Sequence, residues 1–158
     1  MRRVLTVLSL VAVGALLAVN VPAEGATPAG ATLSKKKKSV SWTGSFVGSD
    51  PSPIDGCLGE DASPICDRFM LKVDLGEGAK IKVNIPGQTA TDVDLYVYAP
   101  GRVLVGSSGN LPGSGETVEF THRARWRKQP YTVEVKPYAV LPTTSYKGTA
   151  TVLVLGAK

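Results

Sequence analysis

The chain of 158 residues carries one histidine, two cysteines and few aromatic residues, and each scarcity excludes a class of chemistry. A nucleophilic Ser or Cys needs a neighbouring base and a group that orients that base. His122 stands at the end of a candidate strand among cations, in Thr121-His122-Arg123, which suits a structural or surface role better than a triad. Neither a Gly-x-Ser-x-Gly elbow nor a His-Glu-x-x-His pair occurs, so the common hydrolase elbow and the helical zinc-protease site are both missing. Two thiols alone cannot complete a zinc site. Cys57 and Cys66 are expected instead to form one local disulfide in an oxidising compartment, closing a small loop for a gain of about 2–3 kcal/mol.

Long apolar runs are almost absent. The exception follows Arg2 and Arg3 and extends from Val4 to Val19, broken only by Thr6, Ser9 and Gly14. A basic start, an apolar core and small residues near Ala23 make a signal peptide, whereas a membrane anchor needs about 20 apolar residues. Residues 1–25 are assigned to this signal, with cleavage after Ala23 favoured, Gly25 or Ala26 close behind, and an uncleaved anchor as the other reading. No transmembrane segment is expected after cleavage. The remaining chain suits a single domain, since domains commonly hold about 100–150 residues. Its first stretch, 26–38, is poor in large apolar residues and ends in Lys35–Lys38, so a disordered, lysine-rich tether is expected. The domain proper is expected over 39–158.

Within it, apolar residues alternate with polar ones in short bursts, the period of half-buried strands. The bursts are Ser39 to Val47, Asp67 to Leu75, Lys80 to Ile85, Val93 to Tyr98, Val103 to Val105, Thr117 to Thr121, Tyr131 to Val135 and Ser145 to Leu155. No longer stretch holds a 3.6-residue apolar period, and 11 prolines with 17 glycines interrupt the chain too often for helices. Strands apolar on one face must pack that face on another sheet. The expected fold is therefore all-β, a two-sheet antiparallel sandwich of about eight strands.

Some of these strands carry a family likeness. Asp92-Val93-Asp94-Leu95-Tyr96-Val97-Tyr98 followed by Pro100-Gly101 resembles the central strand of bacterial pre-peptidase C-terminal domains. Phe69-x-Leu71-x-Val73, Val83-x-Ile85, Tyr131-x-Val133-x-Val135 and Tyr146-x-Gly148-x-Ala150-x-Val152 are similar to the strands around it, and the likeness runs from about Trp42 to Leu155. The resemblance implies a jelly-roll-like sandwich, secretion, and a non-catalytic role beside secreted enzymes. The basic stretch from His122 to Lys128 departs from the family, which tends to have a shorter and less charged turn there.

Three groups of residues are candidates for function. Asp50, Asp55, Glu60 and Asp61 crowd a loop rich in Pro, Gly and Ser, and Asp92 and Asp94 share one strand face. Hard cations favour such oxygen clusters, so a structural calcium ion is expected at one of the two; solvated carboxylates, strand-edge hydrogen bonds and acid–base chemistry by Asp92 and Asp94 are the alternatives. The third group is Arg123, Arg125, Trp126, Arg127 and Lys128. With a net charge of +5, it points to an anionic partner. Trp126 is either exposed for stacking or tucked under arginine stems. Together these features describe an exported, non-enzymatic module that contacts an extracellular polymer, protein or cell-surface component, without specific nucleic-acid binding and with no cofactor beyond calcium. A small hydrolase using Asp92 and Asp94, and a structural envelope component, are the rival readings.

Overall fold

The computed structural model describes residues 25–49, 51, 66–89, 91–141 and 143–157. The expected signal peptide lies outside them apart from its last residue. Among the described residues nine strands are found: β1 (Gly30–Ser34), β2 (Ser39–Ser45), β3 (Asp67–Asp74), β4 (Lys80–Ile85), β5 (Asp92–Ala99), β6 (Val103–Ser108), β7 (Glu116–Thr121), β8 (Tyr131–Ala139) and β9 (Ser145–Val154). They form a five-stranded sheet in the order β1-β3-β8-β5-β6 and a four-stranded sheet in the order β2-β9-β4-β7. All pairs are antiparallel except β1 with β3. Among the described residues no helix is long and apolar enough to cross a membrane.

Alternation in the sequence explains the two layers. β3 buries every second residue, and Phe69, Leu71 and Val73 face Val40, Trp42, Ile81 and Val83 of the opposing sheet in one core cluster. The Trp42 indole stacks on Phe69 with centroids 4.0 Å apart and planes at 7°. Aromatic pairs of this kind contribute about 0.5–1.5 kcal/mol beyond their buried area. Trp42 lies over Gly148 of β9, where any Cβ would collide with the indole. A small residue at that position is therefore required by packing.

The eight expected bursts are all strands, but the tether is not a tether. Gly30–Ser34 adds β1 to the edge of β3 in parallel register, Leu33 is fully buried, and Thr27 exchanges backbone hydrogen bonds with Thr43 at 2.7 and 3.0 Å. Ala31 and Leu33 supply just enough inward apolar surface for a short edge strand. Lys35–Lys38 then form the tight connection to β2, where the Ser34 N–H donates to the Lys37 carbonyl and the Lys37 N–H to Ser34 Oγ. The domain thus begins before residue 39.

β8 also runs past its expected end at Val135. Pro137 lacks an N–H and argues against a central strand, yet β8 pairs with β3 only as far as Val135, so from there its outer side needs no donor. The proline sits where the strand has become an edge.

Candidate functional site

Strand direction sorts the loops into two ends. The connections 35–38, 75–79, 100–102 and 122–130 close one end, and 46–66, 86–91, 109–115 and 140–144 begin and finish at the other. The first is basic. Among the described residues Lys35–Lys38, Lys80, Arg123, Arg125, Arg127 and Lys128 lie there and are exposed, with Asp74 and Glu77 as neighbours of opposite sign. Two cation blocks separated by more than 80 residues in sequence are brought to one end because the chain crosses between sheets there three times.

A single 3-10 turn, Ala124–Trp126, shapes the second block. Glu77 accepts the Ala124 N–H and lies 3.9 Å from Arg123, while Arg127 Nε donates to Asp74 Oδ1 at 2.6 Å. Both ion pairs are exposed and so contribute little, about 0–1 kcal/mol each. Thr32, Lys72, Asp74, Arg127 and Lys128 line an open groove of about 400 Å³ between the β1–β3 edge and this turn. Trp126 is half-buried rather than presented: its ring meets Tyr131 edge-on at 5.9 Å, and the Arg125 guanidinium sits 4.6 Å from its centroid. The indole anchors the turn on the core, and a cation covers it.

His122 lies beneath the turn, fully buried, with Nδ1 at 3.0 Å from the Tyr131 hydroxyl and Nε2 without a partner. Burial holds its pKa below the usual imidazole range, with Glu77 opposing and Arg127 reinforcing the shift. Burial also pushes the Tyr131 phenol up to about 12. An imidazole in this position is not available to a substrate.

The other end differs. Glu116 is buried and accepts hydrogen bonds from Ser108 Oγ, from the Asn110 N–H at 3.0 Å and from Asn110 Nδ2 at 3.3 Å. Burial raises its pKa, the bonds from Ser108 and Asn110 lower it, and the nearby charges of Asp94 and Asp92 raise it further. Asp94 also accepts from the Tyr96 hydroxyl at 3.4 Å. Among the described residues no group of three or more His, Cys, Asp or Glu side chains is arranged to hold a metal ion, so the structure places Asp92 and Asp94 near Glu116 without building a cation cage. Asp50, Asp55, Glu60, Asp61 and Cys57 lie outside the described residues.

Other buried polar groups escaped the sequence reading. Asp67, at the start of β3, accepts from the Tyr146 hydroxyl at 2.7 Å, and that oxygen lies 3.3 Å from the Trp42 indole nitrogen. Burial raises the Asp67 pKa and also that of Tyr146. On the outward side of β8, Glu134 and Lys136 are buried too; Glu134 pairs with Arg68 at 3.1 Å, and Lys136 stands opposite Asp94 in the ladder. The inward parity of Asp67, Glu116 and His122 was available from Phe69, Val118 and Phe120; the burial of Glu134 and Lys136 had no signal in the pattern.

No family model and no curated protein matches the chain. Solved structures similar to the chain include the following three. The periplasmic inhibitor of g-type lysozyme, PliG, from Aeromonas hydrophila is 16% identical with a TM-score of 0.48, covering 78% of this chain and 93% of its own. The pre-peptidase C-terminal domain of a Bacillus anthracis collagenase is 10% identical with a TM-score of 0.46, over 78% of this chain and 91% of its own. CorA, a surface-associated copper-binding protein of Methylomicrobium album BG8, is 10% identical with a TM-score of 0.46, over 79% and 97%.

Proposed function

We propose that the protein is an exported, non-catalytic module that holds an anionic extracellular polymer or cell-surface component through its basic end. The observation that supports this most is the convergence of Lys35–Lys38 with Arg123, Arg125, Arg127 and Lys128 on one exposed end. Both blocks face the same end, so a polyanion long enough to span it meets cations from each. Burial of His122 also argues against an imidazole-driven active site. Pull-down of the protein on an anionic polymer, at low and at high salt, tests the reading; retention that ignores salt would remove the basic end from consideration. Hydrolysis of glycan or peptide substrates, abolished by Asp92→Asn with Asp94→Asn, would overturn the non-catalytic part.

Two accessory features belong to the same proposal. Cys57 and Cys66 form a disulfide, which mass spectrometry of unreduced protein reads directly; two alkylatable thiols would contradict it. A calcium ion stabilises the acidic loop through Asp50, Asp55, Glu60 and Asp61. At an ion concentration about a hundred times Kd the native state gains about 2.7 kcal/mol, so melting curves in calcium, magnesium and chelator should separate, and superimposable curves would dispose of the ion.

A further inference from the structure

The basic end is not purely polar. Leu153, Val154 and Leu155 are 46%, 51% and 44% exposed at the close of β9. The same strand buries Tyr146, Gly148 and Ala150, but a register shift between Ile81, which stands opposite Val152, and Lys80, which stands opposite Val154, turns Val154 to the exposed side that Lys80 occupies. Its neighbours are cations on both sides. The Val152 N–H donates to the Lys38 carbonyl at 2.8 Å, and Val154 stands opposite Lys80, whose other neighbour is Thr121 at the root of the arginine-rich turn. Two strand spacings, about 10 Å, thus separate the aliphatic tip from the start of that turn.

We infer that this end seats on an anionic phospholipid bilayer, with Leu153, Val154 and Leu155 entering the headgroup layer while the surrounding lysines and arginines meet lipid phosphates. The inference rests on the proposed role of the basic end as the binding surface. A soluble polyanion satisfies the cations but gains nothing from three adjacent aliphatic side chains, whereas a bilayer rewards both charge and apolar insertion.

Co-sedimentation with mixed phosphatidylglycerol–phosphatidylcholine vesicles, with pure phosphatidylcholine vesicles, and retention on dextran sulfate separate the cases. Wild type should bind the mixed vesicles and dextran sulfate but not pure phosphatidylcholine. Leu153→Ser with Leu155→Ser should weaken vesicle binding by on the order of tenfold or more and leave dextran sulfate binding unchanged. Val154→Thr, nearly isosteric, provides a milder loss in the same direction if the double variant proves unstable. Emission from Trp126 should shift to the blue on mixed vesicles and not on dextran sulfate, over the constant contribution of buried Trp42. Vesicle binding unaffected by either substitution, or dextran sulfate binding without vesicle binding, overturns the membrane inference and leaves the basic end intact. Binding to neither overturns both.

Discussion

The two ends of the sandwich handle charge in opposite ways. At one end the cations of Lys35–Lys38 and Arg123 to Lys128 are exposed, with Asp74 and Glu77 as their acidic neighbours. At the other, Glu116 is buried and held by Ser108 and Asn110, close to Asp92 and Asp94. Exposed charge costs the fold little and stays available to a partner. A buried carboxylate must be satisfied internally, and removing it leaves its donors stranded. Under the proposed function the basic end serves binding and the Glu116 end stability, a division that can be broken by experiments that move one property without the other.

The largest expected effect is on binding. Replacing Arg123, Arg125, Arg127 and Lys128 together by Gln should reduce affinity for an anionic surface by about 1 kcal/mol per cation, several-hundred-fold in all, while the melting temperature changes by only a few degrees. A parallel loss of folding would mean that the turn is structural. Next, Glu116→Leu should cost about 2–3 kcal/mol of stability by orphaning the Ser108 and Asn110 donors, with no change in binding; denaturant unfolding measures the first and a retention assay the second.

Acid should act through His122. Its folded pKa is lowered by burial, so the unfolded chain takes up the proton first. The stability it contributes is whole above the unfolded value of about 6.5 and falls as pH drops below it, by up to about 1.4 kcal/mol per pH unit. Asp67 and Glu116, with raised pKa values, work the other way: their contribution is whole below their unfolded values near 4 and is lost as pH rises through their folded ones. Melting curves between pH 7.5 and 5 on wild type and His122→Gln should therefore differ in slope, with the variant flatter. The smallest effect is expected from Asp74→Asn, which releases Arg127 from its 2.6 Å partner. Affinity for an anion should rise by less than about fivefold, since an exposed pair holds about 0–1 kcal/mol.

The strands were legible because period-two alternation survives wherever one face is buried, as in Phe69, Leu71 and Val73. β1 was not, because Ala31 and Leu33 are too few to show a period, and its place depends on β3, more than 30 residues later. Pro137 hid the end of β8 by a rule that fails only where a strand has lost its neighbour on one side. Among the site residues, the arginine-rich block was visible as composition. Its union with Lys35–Lys38 was not, since it arises from the three crossings between sheets at one end. Trp126 was expected to be tucked under arginine stems more often than presented for stacking, and the placement of Tyr131 and Arg125 shows the packed ring.

Whether the two cation blocks form one binding surface is tested most directly by the salt dependence of retention on dextran sulfate. Wild type, a variant with Lys35–Lys38 changed to Gln, and a variant with Arg123, Arg125, Arg127 and Lys128 changed to Gln would be compared across a salt series. Each block should carry part of the salt dependence, so each variant should bind more weakly and show a shallower fall with salt than wild type. An affinity that ignores salt, or a Lys35–Lys38 variant indistinguishable from wild type, would contradict a single surface built from both blocks.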